Sequence, residues 1–564
     1  MESDMTKDVI SSEPESSEPE EKSGDLTDNS HLDENGFDPL DMSNYHLNKL
    51  PKKIASPVEL WLARIGGPLA ILVFIYFYFF ANISFLHNIN SDILVNAPKA
   101  LKVFQAVGSD VFTSKNIAML AIFAGSIILW ITEAVPNYLT SLMVIISLIL
   151  TGVLSEVDAY HQLGHRIMWL NILSFVLASM LVKTRVMKRF ALWFIYKFGK
   201  SASSIFISFI IINVILSAFI SATTAKATIL LPIFMVVAAI YGARGGEKRN
   251  NFGRNLILQN LFQINMGAGA FVTGSGANLL AAAMISAAVG ADIFFTDWLR
   301  VAFPIQMVIM ILGVIVGTKL IFPLKPEEKK PHIKGGMERL KEELDKMGPI
   351  RLEEVKAIII FFSVLGLWAT DKLHGISATN VAFLGAVVAL TPGIGIVKWN
   401  DIDIPWHLLL FSAGAYTLGA GLDQTGLAVI SVDALFNALG FGDNTPFWIL
   451  YLILTAAMLL SAIVNQSKTM RTLIFVPIAI GVAQKFGYPV MSLALPVALL
   501  IEHVYVLPFN SKPAALLYIT DHYSLSDTFK FGITMMIIAY VLNIIYAMTY
   551  FRFLGITPDG LGLF

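Results

Sequence analysis

The chain has 564 residues, of which 55% are hydrophobic and only 14% charged. Soluble domains carry about a quarter charged residues, so this composition excludes a water-soluble protein and fits a membrane bundle with many apolar runs. There is no cysteine, which excludes disulfides, thiolate zinc sites and cysteine nucleophiles.

Residues 1–40 hold 13 Asp or Glu against two Lys, so the formal net charge of −1 leaves about ten net positive charges on the remainder. A basic body suits an anionic cargo, although positive-inside loops alone give the same excess. The first 50 residues are acidic and rich in Ser, Pro and Glu. They are expected to form a disordered cytoplasmic tail, because they cannot bury enough apolar area to fold. They resemble neither a signal peptide nor a mitochondrial presequence.

Downstream, apolar runs predict spans near 66–85, 117–133, 137–154 and 169–182. A re-entrant hairpin over 204–241 follows, then spans near 256–289 and 301–323, closing a first membrane repeat of 55–324. A charged cytoplasmic linker, 325–354, holds a short helical pattern from Met337 to Met347. The second repeat, 355–564, is read as spans near 355–370, 376–391 and 406–422, a second hairpin over 446–483 and two last spans. The expected fold is all-α, with about 11 transmembrane helices and two re-entrant hairpins. Reading each hairpin as two full spans keeps the same parity.

The two halves match. Trp130-Ile-Thr-Glu133 recurs as Trp368-Ala-Thr-Asp371, and Trp169 as Trp406. The window SATTAKATILLPI (221–233) aligns with QSKTMRTLIFVPI (466–478). Thr224/Thr469, Ile229/Ile474, Pro232/Pro477 and Ile233/Ile478 are identical, and Lys226 matches Arg471 as a cation. Finally, 274–278 (GSGAN) faces 510–514 (NSKPA). Internal repeats are common in secondary transporters. Lys183, Arg185, Lys188, Arg189, Lys197 and Lys200 follow the Trp169 span, whereas the matching stretch of the second half, about 420–437, has no Lys or Arg. Positive loops stay in the cytoplasm, so the halves are expected to be inverted, with the N-terminus inside and the C-terminus outside.

Backbone that unwinds at membrane depth must be buried in protein or line a cavity. Four segments fit: Ser217 to Thr224, Gly267 to Asn278, Ser461 to Thr469 and Pro508 to Pro513. Broken helices offer N–H groups to anions, and carbonyls or hydroxyls to cations. Ionisable residues in a membrane are expensive and usually functional. Lys468 and Lys512 are therefore read as anion ligands or charge compensators. Lys226 and Arg471 are expected to serve the structure, with Glu133 and Asp371 as candidate partners. Glu502 and His503, placed in the penultimate span, are read as a satisfied polar pair, with a proton relay as the alternative. No HExxH, GxSxG or P-loop is present, so no enzyme is expected.

These residues resemble the divalent anion/sodium symporter family of the ion transporter superfamily. The resemblance is carried over about 55–554 by WITEAVP (130–136), the 221–233 hairpin, the broken helix ending GSGAN and WHLLLFSAGAYTLGAGLDQTGLA (406–428). It implies a homodimer in the bilayer, with scaffold and elevator-type transport domains, carrying dicarboxylates, citrate or sulfate. It implies no organic cofactor, structural metal or nucleic-acid partner, and makes Na⁺ a possible coupling ion. The family's hairpin triplet Ser-Asn-Thr falls on Ser221, Ala222 and Thr223 in the first half and on Gln466, Ser467 and Lys468 in the second. Its Thr-Pro-Pro-Asn falls on Ser275 to Asn278 and on Ser511 to Ala514.

The resemblance thus implies anion contacts from Ser221, Thr223, Thr224, Ser275, Asn278, Gln466, Ser467, Lys468, Thr469, Ser511, Lys512 and Pro513. It implies a cation site at Ser217, Ser221 and Gly274. An ammonium at Lys468 would repel Na⁺ by roughly 4 kcal/mol at about 4 Å and an effective dielectric near 20, so at least the second sodium site is expected to be absent. The expected function is secondary transport of small divalent anions, by exchange or proton coupling. Sodium symport through the first site and a non-transporting anion sensor are the alternatives.

Overall fold

In hydrocarbon a free N–H or C=O has no water to bond to, so long apolar stretches fold into helices that satisfy their own backbone. The computed structural model describes residues 38–45 and 57–564, except 334–335, 403, 439–444, 465–466, 509, 559–560 and 563–564. All regular structure among the described residues is helical. Six helices among the described residues are long and apolar enough, by length and composition, to cross a membrane: Trp61–Phe80, Ser109–Thr132, Glu156–Lys183, Thr223–Ile240, Phe295–Ile321 and Leu525–Phe553. The helix Pro57–Ile75 leaves Trp61, Ile71 and Leu72 more than half exposed. Apolar surface of that kind is stable against lipid and costly against water.

Short connecting helices aside, nine helices run from Ser109–Thr132 to Phe295–Val316. Among the described residues nine more follow in the same order, from Leu352–Ala369 to Leu525–Met548. The two hairpins correspond closely. The first has arms Ala202–Phe219 and Thr223–Ile240, the second Phe447–Val464 and Lys468–Lys485, each of 18 residues. Pro232 and Pro477 occupy the same position in the two returning arms, where each removes a backbone donor. The Trp130 indole donates to the Asn137 carbonyl at 3.2 Å, and its mate Trp368 donates to the Ala378 carbonyl at 2.9 Å. The repeated tryptophans therefore do the same work, tying the end of one helix to the start of the next. Packing crosses between halves: Asn137–Leu150 lies along Trp406–Thr425, and Ala378–Leu390 along Arg166–Lys183.

Two spans are broken. The first is Asn251–Ala270 followed by Gly276–Val289, the second Val490–Leu499 followed by Lys512–Tyr518. The first break is shorter than the glycine pattern implied. Gly267 and Gly269 lie within the helix, and they serve close packing instead. A Cβ on Gly267 would stand 2.8 Å from Ser217 Oγ and 3.1 Å from the Asn213 carbonyl. The second break is longer than the Pro508–Pro513 signal implied and takes in Glu502 and His503, which therefore lie outside a regular span. Side-chain and backbone bonds hold this open stretch: Ser511 donates to the Val504 carbonyl and Thr528 to the Tyr505 carbonyl.

Charged segments between the helices are tied to the bundle. Arg189 donates to both oxygens of buried Glu354, at 2.6 and 3.0 Å, and to the Gly348 carbonyl. Glu328 caps Asn251–Ala270 by accepting from the Asn251 N–H at 2.8 Å. The linker helix is Gly336–Lys346, close to the expected pattern. Within the stretch expected to be a disordered tail, residues 38–45 form a compact turn. Apolar Leu40 and Met42 are buried there, and the 3₁₀ turn Met42–Tyr45 packs on Thr223–Ile240. The rest of that tail lies outside the described residues. The close approach at Gly267 makes a direct prediction. Gly267→Leu should destabilise the protein by about 1–3 kcal/mol through overpacking, measured as an earlier midpoint of unfolding in detergent.

Candidate functional site

The hairpin tips meet the helix breaks. At the first break, the Thr273 hydroxyl donates to the Ala218 carbonyl at 2.9 Å, pinning the end of the first hairpin's entering arm. At the second, Asn510 Nδ2 donates to the Ala462 carbonyl at 2.7 Å, making the corresponding contact to the second hairpin. Gly274 is needed in the tight turn before Ser275, since a Cβ there would fall 2.2 Å from the Ala268 carbonyl.

Three of the four helices that begin at these tips and breaks start on a serine cap. Ser275 accepts from Asn278 N, Ser467 from Met470 N and Ser511 from Ala514 N. Such caps satisfy one orphan N–H each and fix the helix entry. The exception is Thr223–Ile240, whose cap position is Ala222 and has no side-chain acceptor. Its first-turn N–H groups, from Thr223 and Thr224 onward, stay available for an anion. Ser221 is buried in the tip between the arms. Thr469 is half-buried in the first turn of the opposite hairpin.

One carboxylate joins these parts. Glu502, fully buried in the second break, accepts the Ser275 hydroxyl at 2.5 Å and forms an ion pair with Lys468 at the second hairpin tip. Three pieces of chain, from both halves, therefore converge on it. Arg471 lies beside it, bonded to the Leu500 and Ile501 carbonyls. Asn278 donates to the Ala268 and Phe271 carbonyls, at 2.9 and 3.0 Å, while its own Oδ1 is buried without a partner among the described residues.

Several expected residues come together and others do not. Ser221, Thr223, Thr224, Ser275, Asn278, Ser467, Lys468 and Thr469 all lie at tips or breaks. Lys512 and Pro513 open the helix Lys512–Tyr518, with Pro513 buried and Lys512 exposed. Gln466 lies outside the described residues.

The pairing expected for Lys226 and Arg471 is corrected. Lys226 donates to Ser217 Oγ at 2.9 Å. Arg471 donates to Ser461 Oγ and to the Met458, Leu500 and Ile501 carbonyls. Their expected partners lie elsewhere: Asp371 bonds to Thr296, and Glu133 is exposed on a left-handed helix end. Both acids sit at helix ends away from the breaks, which a linear sequence does not reveal. Glu502 and His503 are each satisfied, but not by one another, since His503 Nδ1 and the Tyr505 hydroxyl share a 2.6 Å hydrogen bond. Ser461 did not stand out as a binding residue in the sequence, although it lies 244 residues after Ser217 and so at the repeat spacing.

A cavity of about 420 Å³ lies beside the returning arm of the second hairpin. It is lined by Met284 and Ile480, by the Tyr416 ring and by the pair Lys99–Asp423.

Residues 100–557 match the family described as the sodium:sulfate symporter transmembrane region, a span that includes both hairpins, both breaks and the linker. The chain belongs to the sodium:sulfate symporter family. It is therefore an integral membrane transporter, not an enzyme. A relative in Staphylococcus saprophyticus, named sodium-dependent dicarboxylate transporter SdcS, is 25% identical over 475 residues, covering 80% of this chain and 88% of the relative. The putative malate transporter YflS of Bacillus subtilis is 29% identical over 344 residues, 60% of this chain and 69% of its own. The chloroplastic dicarboxylate transporter 1 of Spinacia oleracea is 28% identical and covers 59% of each chain.

The Glu502 contact yields a double-mutant test. Removing either member of a buried ion pair leaves the other charge uncompensated, at about 3–5 kcal/mol. Glu502→Gln and Lys468→Met should each destabilise strongly. The double variant should lose less than the sum of the two, by about 1–3 kcal/mol. Strict additivity in the unfolding midpoints would show that the pair does not act as a unit.

Proposed function

We propose that this chain carries small dicarboxylates across the membrane by alternating access, and that its favoured mode is the exchange of one dianion for another. One observation carries the reading. Three cationic side chains, Lys226, Lys468 and Arg471, and one carboxylate, Glu502, lie where two hairpins and two broken helices meet, with Lys468 paired to Glu502 and Arg471 bonded to the adjoining Ile501 carbonyl. By formal charge a bound dianion neutralises this cluster. The uncapped start of Thr223–Ile240 adds backbone donors for a carboxylate. Ser221, Thr223, Thr224, Ser467 and Thr469 supply hydroxyls at the same tips. An emptied site keeps its cations, so its return through the membrane is costly unless another anion binds.

The names of the relatives support dicarboxylates as the cargo class. In this reading the two repeats are inverted, with the N-terminus in the cytoplasm and the C-terminus outside. The helices Val186–Phe198 and Leu427–Ala438 hold the same place in the two halves, yet the first carries Lys188, Arg189 and Lys197 while the second has no Lys or Arg. The hairpins and broken helices move as an elevator-type transport domain against the remaining helices, in a homodimer.

The test is counterflow. Proteoliposomes holding the full chain and loaded with unlabelled succinate, malate, 2-oxoglutarate, citrate or sulfate are given labelled succinate outside. Accumulation should require a trans dicarboxylate and should fall by about tenfold or more in liposomes without internal anion. Failure of every dianion to drive labelled uptake would remove the transport reading.

A further inference from the structure

A cation site at a helix break needs oxygen atoms with free lone pairs, from carbonyls and hydroxyls. At both hairpins of this chain a side-chain cation already takes them. In the first, Lys226 Nζ donates to Ser217 Oγ at 2.9 Å, and both residues are fully buried. The neighbouring Ala218 carbonyl is held by Thr273, and the Ala268 and Phe271 carbonyls by Asn278. In the second, the Arg471 guanidinium reaches Ser461 Oγ at 2.9 Å, the Ile501 carbonyl at 2.8 Å, the Met458 carbonyl at 2.6 Å and the Leu500 carbonyl at 3.3 Å. This cradle combines a hydroxyl and a carbonyl from the entering arm with two carbonyls from the unwound break.

The two arrangements are mates. Ser217 and Ser461 are 244 residues apart, and Lys226 and Arg471 are 245 apart. Each cation lies on the returning arm and reaches back to a serine on the entering arm of its own hairpin. Among the described residues neither cation has a carboxylate within ion-pair distance. Their charges are held mainly by neutral oxygen atoms, as a bound metal ion's would be. Lysine and arginine differ in shape and in donor geometry, so what the two hairpins share is a tethered positive charge.

We infer that Lys226 and Arg471 occupy the places where a coupling sodium ion would otherwise bind, so that both cation sites are closed to sodium and transport proceeds without it. This extends the sequence expectation, which concerned only Lys468 and the second site; Lys468 is engaged by Glu502 instead. It also sets an ammonium on the Ser217 oxygen that symport through the first site would need. The inference rests on the transport reading above.

Two measurements on the unaltered chain separate the two ideas. First, succinate counterflow in proteoliposomes is compared in sodium, potassium and choline chloride at equal ionic strength. Rates should agree within about twofold, and activation of about fivefold or more by sodium would overturn the inference. Second, thermal unfolding of the purified full chain is followed while sodium chloride is titrated against choline chloride. The midpoints should coincide, whereas a sodium-specific rise of about 3 °C or more would show a bound ion and overturn it. If no dianion moves in any salt, the transport reading fails and the second measurement still decides this one. A third comparison probes the charge itself. Arg471→Lys should transport about fivefold faster than Arg471→Met or better, and equal rates would reduce Arg471 to packing and remove the assignment.

Discussion

A helix interrupted inside a membrane exposes backbone donors and acceptors that lipid cannot satisfy, and this chain interrupts itself in four places. Each interruption is closed by partners from another part of the fold. Thr273 and Asn510 reach from the breaks to the carbonyls at the hairpin ends. Arg471 gathers the Leu500 and Ile501 carbonyls that the second break leaves open. Ser275, Ser467 and Ser511 cap the helices that resume. The hairpins and broken helices are therefore stable only against each other, and the demand for backbone partners brings them to one place.

Glu502 is the clearest product of that demand. A buried carboxylate is tolerable only when paired, and Glu502 has Lys468 and the Ser275 hydroxyl as partners. Its pairing links the second hairpin, the second break and the first break. In the proposed mechanism the excess of cations around it gives the centre its preference for anions. Positive charge and helix N-termini act in the same direction there, whereas in bulk water each would be weakened by solvent.

The membrane's demands also explain features away from the centre. Apolar side chains such as Leu72 and Trp61 stay exposed because their solvent is lipid. The charged linker region, by contrast, is tied by Arg189 and Glu354 into a joint that holds the linker against Val186–Phe198. The segment at Leu40 and Met42 adds a second hold, on the returning arm of the first hairpin. Its two apolar residues interrupt a strongly acidic stretch, and they account for the order found within the expected tail.

The sequence by itself determined the all-helical membrane character and the matching order of helices in the two halves. These follow from run length, from glycine and proline punctuation and from residues such as Pro232 and Pro477, all of which act locally along the chain. Only the tertiary structure decided who pairs with whom. Lys226 and Arg471 were expected to meet Glu133 and Asp371, and they meet Ser217 and Ser461 instead. Glu502 was read within a span and lies in unwound backbone. Gly267 was read as a helix breaker and serves as a contact point for the hairpin. Pairing across hundreds of residues depends on how helices cross, and a charge in a buried site accepts whichever polar atoms that crossing brings within about 3 Å.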